Sequence, residues 1–309
     1  MATADAYHRG MFGFVLRGLT PLTSSPRRWA VALWCGFNFG LVAAAPALPA
    51  HRLTVLEGEA VVIDGARALA AAPGLVLKPG AIVESHAQAR LVRIEFADGG
   101  VADLGPGTKV MVAPRGFPSR QQKPPALYLL SGWVKQASGA GAPAAGLVTP
   151  ALDLLPFSGT VVVQVLPQAV RVFVEGGRAE LLERRRGGTR VALASGEMYA
   201  AEAASAGQVT PRPGADFITA LPRLFRDRIP SQAGRFQDAV VEAAPLPAPS
   251  YAGLRDWLVA EPLVRRDFPR RFGVLARQGP FRSALEGGLA QHPEWTPVLY
   301  PPAPPPMSP

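Results

Sequence analysis

The chain has 309 residues, of which 48% are apolar, a formal charge of +9 and a single cysteine, Cys35. The apolar fraction is enough to build a hydrophobic core and excludes global disorder, while one cysteine excludes a disulfide-stapled scaffold. Its 33 prolines and 32 glycines favour short strands and turns over a helical bundle.

The N-terminal segment has the pattern of an export signal. Arg27 and Arg28 precede the apolar run WAVALWCGFNFGLVAAA at residues 29–45, and small residues follow it. A positive start, an apolar middle and a small-residue end are typical of a secretory signal peptide. Residues 1–50 are therefore predicted to be a signal peptide with a preamble, cleaved before Leu48 or after Ala50. The mature protein is expected in the periplasm or outside the cell.

Two features of this leader leave alternatives open. The apolar run is nearly long enough to cross a bilayer uncleaved, so an inner-membrane anchor is the alternative to cleavage. The chain could also start at Met1 or at Met11. With cleavage, no stable membrane span is expected in the mature protein.

From residue 51 to residue 203 the sequence alternates with a period of two. Val92, Ile94 and Phe96 alternate with Arg93 and Glu95, which predicts a strand with one apolar and one charged face. Glycine ends one such run and opens the next throughout this region. The pattern predicts a mainly β domain, a stack of short antiparallel strands and hairpins that is solenoid-like or sandwich-like.

The stretch FADGG at residues 96–100 combines glycines and aspartate as many phosphate or metal loops do. A phosphate-binding loop needs Ser or Thr after its lysine, but Val110 follows Lys109. Asp98 and Asp103 are too sparse for a calcium loop. Asp98 and Gly99 are instead predicted to be a structural hairpin turn of type I′.

Several short motifs occur in a fixed order along the β region. They are GEAVV at 58–62, LKPGAIVESHAQARLVRIEFADGG at 77–100, LYLLSGWV at 127–134, GLVTPALDLLPFSGTVVVQV at 146–165, VRVFVEGGRAEL at 170–181 and VALASGEMYAA at 191–201. In this order they resemble the FecR domain family, a bacterial envelope module known from iron-transport signalling. The resemblance covers about half of the chain and implies a FecR-like all-β domain over residues 51–203.

The chain departs from the best-known members of that family at its N-terminus. Those proteins place a cytoplasmic helical segment, which binds a sigma factor, before one membrane span. Fewer than 30 residues precede the apolar run here, too few for such a segment. The resemblance therefore implies a free-standing exported FecR-domain protein without anti-sigma activity.

The C-terminal third has a different pattern. Residues 204–214 are expected to be a linker, and residues 215–300 a small helical region. Ser250 is placed to cap a helix from Tyr251, and Pro280 to occupy the first turn of another. Residues 245–249 are expected to be a proline-rich spacer and residues 301–309 a proline-rich tail.

Catalytic and cofactor motifs are not found. His51, His86 and His292 are isolated from one another in sequence, and no serine lies in a nucleophile elbow. The run of arginines at 184–186 lies beside glycines and is expected to be a solvated turn rather than a nucleic-acid patch. We therefore expect no enzyme activity, no cofactor, no metal and no nucleic-acid partner.

The sequence is compatible with three candidate functions. The first is an adaptor or signalling accessory that docks another envelope protein. The rival is a cell-wall or polysaccharide ligand, bound by Arg171, Arg178 and exposed aromatics such as Trp133. A third is a hydrolase of that polymer, with two carboxylates hidden among the turns. The remaining aromatic candidates are Tyr251, Trp257 and Trp295. They could form an aromatic surface that binds sugars or peptides, or they could pack in the core.

Overall fold

The structure is a computed structural model that describes residues 50–117, 124–184, 187–203 and 205–301. These residues belong to one compact unit. The chain is mainly β with a small C-terminal helical region, which confirms the predicted fold class. The predicted signal peptide lies outside the described residues apart from residue 50, and the predicted proline-rich tail lies outside them apart from residue 301.

Sixteen strands are formed by the described residues. They are β1 His51–Glu57, β2 Ala60–Asp64, β3 Arg67–Ala70, β4 Val76–Leu77, β5 Ile82–Ser85, β6 Leu91–Glu95, β7 Val101–Leu104, β8 Lys109–Val112, β9 Leu127–Ala137, β10 Leu147–Val148, β11 Leu152–Leu154, β12 Ser158–Leu166, β13 Ala169–Glu183, β14 Thr189–Ala194, β15 Met198–Glu202 and β16 Gln208–Thr210. The α-helices are α1 Ala215–Ala220, α2 Tyr251–Leu258, α3 Pro262–Arg265, α4 Phe268–Phe272, α5 Gly279–Gly287 and α6 Thr296–Leu299. Short 3₁₀ turns span Arg223–Arg226, Ala233–Phe236, Leu275–Arg277, Leu289–Gln291 and Pro293–Trp295.

One hydrogen-bonded network joins these strands. The two longest strands connect it, because β9 pairs with β7, β8, β10 and β12, and β13 pairs with β11, β12, β14 and β15. Every described strand pair is antiparallel except β9 with β10. The hairpin pattern predicted from the glycine-punctuated sequence is therefore the pattern that forms.

The strands enclose a first hydrophobic core and turn their other face to a second one. In β8, Val110 and Val112 point into the first core, whereas Met111 points to the second. In β5, Val83 likewise points into the first core and Ile82 to the second. This follows from the period of two, since neighbouring side chains of a strand leave opposite faces of the sheet.

The second core lies under a group of short helices at residues 251–300, which we call the cap. Ser250 begins it as predicted, with its Oγ accepting a hydrogen bond of 3.1 Å from the Gly253 N–H. Trp257 is fully buried between the cap and the sheet, and its indole Nε1 donates to Glu84 Oε1 at 2.6 Å. Pro280 lies in the first turn of α5, also as predicted.

Arg271 fastens the cap to the turns at the end of the sheet. Its guanidinium donates to the carbonyl oxygens of Ile63, Gly65 and Gly80 at 2.7, 3.0 and 2.6 Å and lies 4.7 Å from the centre of the Phe272 ring. Burial lowers the pKa of Arg271 to about 10. The group is therefore still charged at neutral pH.

The segment at residues 227–246, which we call the strap, crosses the outward face of β1, β6 and β7. That face carries Arg93 and Asp103, both buried, which are joined by hydrogen bonds of 2.6 and 2.8 Å. Arg93 Nη1 also donates to the strap carbonyl of Ile229 at 2.6 Å, and the strap N–H of Gln232 donates to Glu95 Oε1 at 2.7 Å. The predicted charged face of β6 therefore forms, and the strap covers it.

The strap ends as an addition to the edge of β3. The Ala70 N–H donates to Ala244 O at 2.9 Å, and the Leu246 N–H donates to Ala68 O at 2.9 Å. Pro245 forms the bridge with β3 between these two bonds. The expected spacer at residues 245–249 thus begins as a strand-like partner of the sheet.

The predicted linker at residues 204–214 also contains a strand. Residues 208–210 form β16 and pair with β15 from Met198 to Ala200. The linker prediction is wrong for these residues because a tertiary partner was available to a segment that has little strand pattern of its own.

Candidate functional site

A cavity of about 760 Å³ opens where the sheet meets the end of α2. Its walls come from β9, from the turn between β12 and β13, from the end of β15 and from residues 256–261 of the cap. Val165, Val170 and Ala260 contribute apolar surface to the walls, and Leu166 and Val259 contribute exposed apolar surface. Its volume lies within the range of about 300–1,000 Å³ that is usual for small-molecule sites.

Among the described residues, every charged side chain that lines this cavity is a carboxylate. The four are Glu183, Glu202, Asp256 and Glu261. Asp256 Oδ2 accepts a bond of 2.7 Å from Lys109 Nζ, outside the lining. All four charged groups of the lining are therefore acidic, and a cation outside the lining pairs with one of them.

Two of the carboxylates are held in place by groups behind the wall. Both Glu261 oxygens lie 2.6 Å from Arg184 Nη1, and the Arg184 Nε donates to Asp153 at 2.5 Å. Glu183 Oε1 accepts a hydrogen bond of 2.8 Å from the Tyr199 hydroxyl. Arg184 is thus part of a half-buried ion-pair group, so the predicted solvated turn is wrong for this residue; Arg185 and Arg186 lie outside the described residues.

Tyr128 brings a polar atom to the floor of the cavity. The side chain is fully buried, and its hydroxyl lies beside the carboxylate of Glu261. Burial, with the nearby carboxylate of Glu261 as a second cause, raises the pKa of Tyr128 well above that of a free phenol.

The Tyr199 side chain of β15 approaches the loop before β16 very closely beside the cavity. A Cβ on Gly207 would lie 2.0 Å from the Tyr199 hydroxyl oxygen. Only glycine fits here without moving Tyr199 and the bond it makes to Glu183. This close approach fixes one side of the cavity.

The three tryptophans among the predicted site residues are buried. Trp133 is 9% exposed and packs 5.2 Å from the Phe217 ring of α1, while Trp257 and Trp295 are fully buried under the cap. The expectation of an exposed Trp133 is therefore wrong. Trp257 and Trp295 therefore pack in the core and do not form an exposed aromatic ligand surface.

The remaining predicted ligand residues lie apart from the cavity and from one another. Arg171 is half-buried and forms an ion pair of 3.0 Å with Asp216. Arg178 is exposed on β13 opposite Ala194 of β14. Tyr251 is half-buried, with its ring 6.0 Å from Phe281 in the cap. None of these three residues lines the cavity.

Asp98 and Gly99 form a hairpin turn between β6 and β7, as predicted. The Gly99 N–H donates to Phe96 O at 3.0 Å, and Asp98 Oδ1 accepts from the Gly100 N–H at 3.1 Å. Gly99 has φ of 80°, but Asp98 is not in the positive-φ region that a type I′ turn requires at both central positions. The predicted turn type is therefore wrong: Ala97 and Asp98 are the central residues, and Gly99 follows them.

The sheet also has an open edge at β14. Among the described strands β14 pairs only with β13, and most of its residues are exposed. The Ala194 N–H donates to the Glu197 side chain at 2.7 Å instead of to β13. Because backbone direction alternates along an antiparallel strand, Ala192 and Arg190 also direct their backbone groups outward.

Sequence reasoning missed the residues that line the cavity. Glu202 ends a predicted strand, and Asp256 lies on a predicted helix far along the chain. Neither belongs to a motif, and only the docking of the cap on the sheet brings them to one wall.

Two other features are absent from the described residues. No group of three or more His, Cys, Asp or Glu side chains there could hold a metal ion. No helix in the same part of the chain is both long and apolar enough to cross a membrane.

Comparisons with known proteins give a weak structural likeness. No known protein family and no curated protein matches the chain. Two crystal structures of a provisionally assigned anti-sigma factor from Parabacteroides distasonis are similar to it, with TM-scores of 0.35 and 0.34 and identities of 16% and 15%. They match 45% and 44% of this chain, which spans 62% and 61% of theirs. A likeness at this level carries no functional argument.

Proposed function

We propose that the protein is a non-enzymatic binding protein of the bacterial envelope that docks another envelope protein as an adaptor or signalling accessory. The observation that carries this proposal is the open edge of β14. An extended segment of a partner can add to such an edge through backbone hydrogen bonds. The export half of the proposal rests on the predicted signal peptide.

The molecule treats its edges differently, which supports a docking role for β14. The edge of β3 is covered by residues 244–246 of the chain itself, through two backbone bonds of 2.9 Å. No described strand covers β14 in this way. Uncovered edges invite unwanted pairing and are usually blocked. Because the chain covers the edge of β3 but no described strand covers β14, the edge of β14 is a candidate binding surface for a partner.

The experiment replaces Ala192 by proline. Proline removes the outward N–H at this position while the inward bonds of its neighbours to β13 are kept. The matched control, Ala192→Thr, keeps the N–H and the strand preference. Tagged wild type and both variants would be crosslinked in intact cells and their bound proteins quantified by mass spectrometry.

We expect one envelope protein to be recovered with wild type and with Ala192→Thr, and at least about tenfold less of it with Ala192→Pro, since an edge addition of several bonds would be interrupted. Equal recovery with all three would show that the partner does not use this edge. Wall fragments in place of a protein would favour the polysaccharide alternative. N-terminal sequencing of the same samples tests export, with Leu48 or His51 expected first and an intact leader contradicting cleavage.

A further inference from the structure

We infer that the outward side of the cap binds the surface of an anionic phospholipid bilayer. Arginines on this side contact lipid phosphates, and aliphatic side chains between them enter the headgroup region. The surface is separate from the edge of β14, so the inference does not rest on the proposed function. Unpaired arginines and exposed aliphatic side chains along one helical run of the cap carry it.

The run spans residues 262–277. It contains α3, α4 and the 3₁₀ turn Leu275–Arg277, and the residues that join them also have helical backbone angles. Side chains three or four residues apart therefore share one side of the run. The inward side is buried in the second core and consists of Val264, Phe268, Phe272 and Leu275. The outward side, which we call the arginine face, is exposed and consists of Leu263, Arg266, Asp267, Arg270, Val274 and Arg277.

The arginines of this face are not used inside the protein. Two other arginines of the same run are, because Arg265 forms an ion pair of 2.7 Å with Glu294 and Arg271 donates to three backbone carbonyls. The three arginines of the arginine face form neither an ion pair nor a side-chain hydrogen bond within the described residues. Asp267 is the one carboxylate of the face, so the face has a net positive charge and is complementary to an anionic surface.

The aliphatic side chains of the face separate a bilayer from a soluble anion. Leu263 and Val274 are 40% and 54% exposed and lie among the arginines. At the surface of a bilayer, guanidinium groups bind lipid phosphates while aliphatic groups leave water. A soluble polyanion would bind the arginines but would gain nothing from Leu263 and Val274.

An acidic protein fits the arginine face less well than a bilayer does. Protein interfaces gain most of their affinity from a few large side chains, aromatic ones above all, that fill desolvated pockets. The aromatic side chains of this run, Phe268 and Phe272, are buried in the cap and cannot serve as such anchors. A bilayer interface needs only charge and shallow aliphatic contact, and the face offers both.

The test is sedimentation with vesicles of phosphatidylglycerol and phosphatidylcholine in equal parts. Vesicles of phosphatidylcholine alone are the neutral probe, and soluble polyglutamate is the competitor that represents an acidic protein. The protein is the chain from residue 48, the predicted mature form, because the apolar leader would itself bind vesicles and lies outside the compact unit of the described residues.

Two variants change the face, and each has a matched control elsewhere. Arg270→Gln removes a charge, and its control is Arg212→Gln, at an exposed arginine after β16 that also lacks an ion pair among the described residues. Val274→Ser removes an aliphatic contact, and its control is Val240→Ser, at a strap residue that is 91% exposed. All four side chains are exposed, so thermal unfolding should be unchanged in each variant.

We expect wild type to sediment with the anionic vesicles and not with the neutral ones. Arg270→Gln should weaken the partition about fivefold, the effect of one charge at a membrane surface, and Val274→Ser about threefold. Both controls should partition as wild type does, and raising the salt from about 0.05 to 0.5 M should weaken binding.

Three results would overturn the proposal. The first is no sedimentation with the anionic vesicles. The second is an equal loss in Arg270→Gln and Arg212→Gln, which would mean that net charge alone drives binding. The third is displacement from the vesicles by polyglutamate together with an unchanged partition of Val274→Ser, which would assign the arginine face to an acidic protein.

Discussion

The strap and the cap are consecutive pieces of the C-terminal third, and they cover different parts of the sheet with different chemistry. The strap has little regular structure and lies over buried charged groups of β1, β6 and β7, which bond to its backbone. The cap lies over apolar side chains and brings apolar side chains of its own, such as Trp257. A sheet face can thus be closed either by satisfying its charges or by extending its hydrophobic core.

The difference matters for stability because different substitutions destabilise the contacts of the cap and those of the strap. Buried apolar contacts add up, so the loss of one large side chain costs its own burial and leaves a cavity. Buried ion pairs contribute little net stability, yet removing one partner leaves the other charge buried without a counter-charge, which is costly. The cap should therefore respond to side-chain size, and the strap to charge balance.

The largest effect is expected for the cap in Trp257→Ala. Trp257 is fully buried and its indole bonds to Glu84 at 2.6 Å, so truncation should cost about 4 kcal/mol of unfolding free energy. Urea unfolding followed by circular dichroism measures this. Leu263→Ala, at a cap residue that is 40% exposed, is the control and should stay within about 0.5 kcal/mol. Similar small losses for both would mean that the cap is not a part of the core.

The next effect is expected under the strap in Arg93→Met. Asp103 would stay buried without its partner, which should cost about 3 kcal/mol. Trypsin should also cut the strap at Arg235 sooner than in wild type, because Ile229 loses its bond to Arg93.

The double variant Arg93→Met with Asp103→Leu sharpens this test. It removes both charges, so most of the lost stability should return although the strap stays more accessible to trypsin. No recovery in the double variant would show that size, not charge balance, governs this face as it governs the cap.

A smaller effect is expected for Arg271→Met at the border of the cap. The variant keeps much of the side-chain volume but leaves the carbonyls of Ile63, Gly65 and Gly80 without this donor, which should cost about 2 kcal/mol. Urea unfolding beside Arg270→Met, a neighbour with no such carbonyl contacts among the described residues, isolates the effect. Equal losses in both would contradict the fastening role of Arg271.

The smallest effect concerns the pH dependence of stability and is expected from a histidine of the cap. Burial lowers the pKa of His292, which lies in the cap. The unfolded state therefore binds the proton more readily, so stability should rise with pH and be lost as pH falls below about 6.5. Thermal unfolding between pH 7.5 and 5 should show a larger loss for wild type than for His292→Gln. His51, whose pKa burial also lowers, contributes equally in both proteins.

Local features were predictable because local physics sets them. The hairpin position at Asp98 and Gly99 follows from glycine's freedom at positive φ, and the start of α2 follows from the Ser250 cap. The turn type was not predictable, because it depends on where the flanking strands begin to pair. The period of two placed Arg93 and Glu95 on one face, but it could not tell that a later segment would cover that face.

The candidate sites divide along the same line. The sequence by itself determined the strand pattern, the helix starts and the absence of disulfides, since each depends on neighbouring residues or on composition. Only the tertiary structure decided that Trp133 is buried, that Glu202 and Asp256 share one wall and that β14 has an open edge. These properties arise where distant segments meet, and burial and charge pairing at such meetings depend on which segment covers which face.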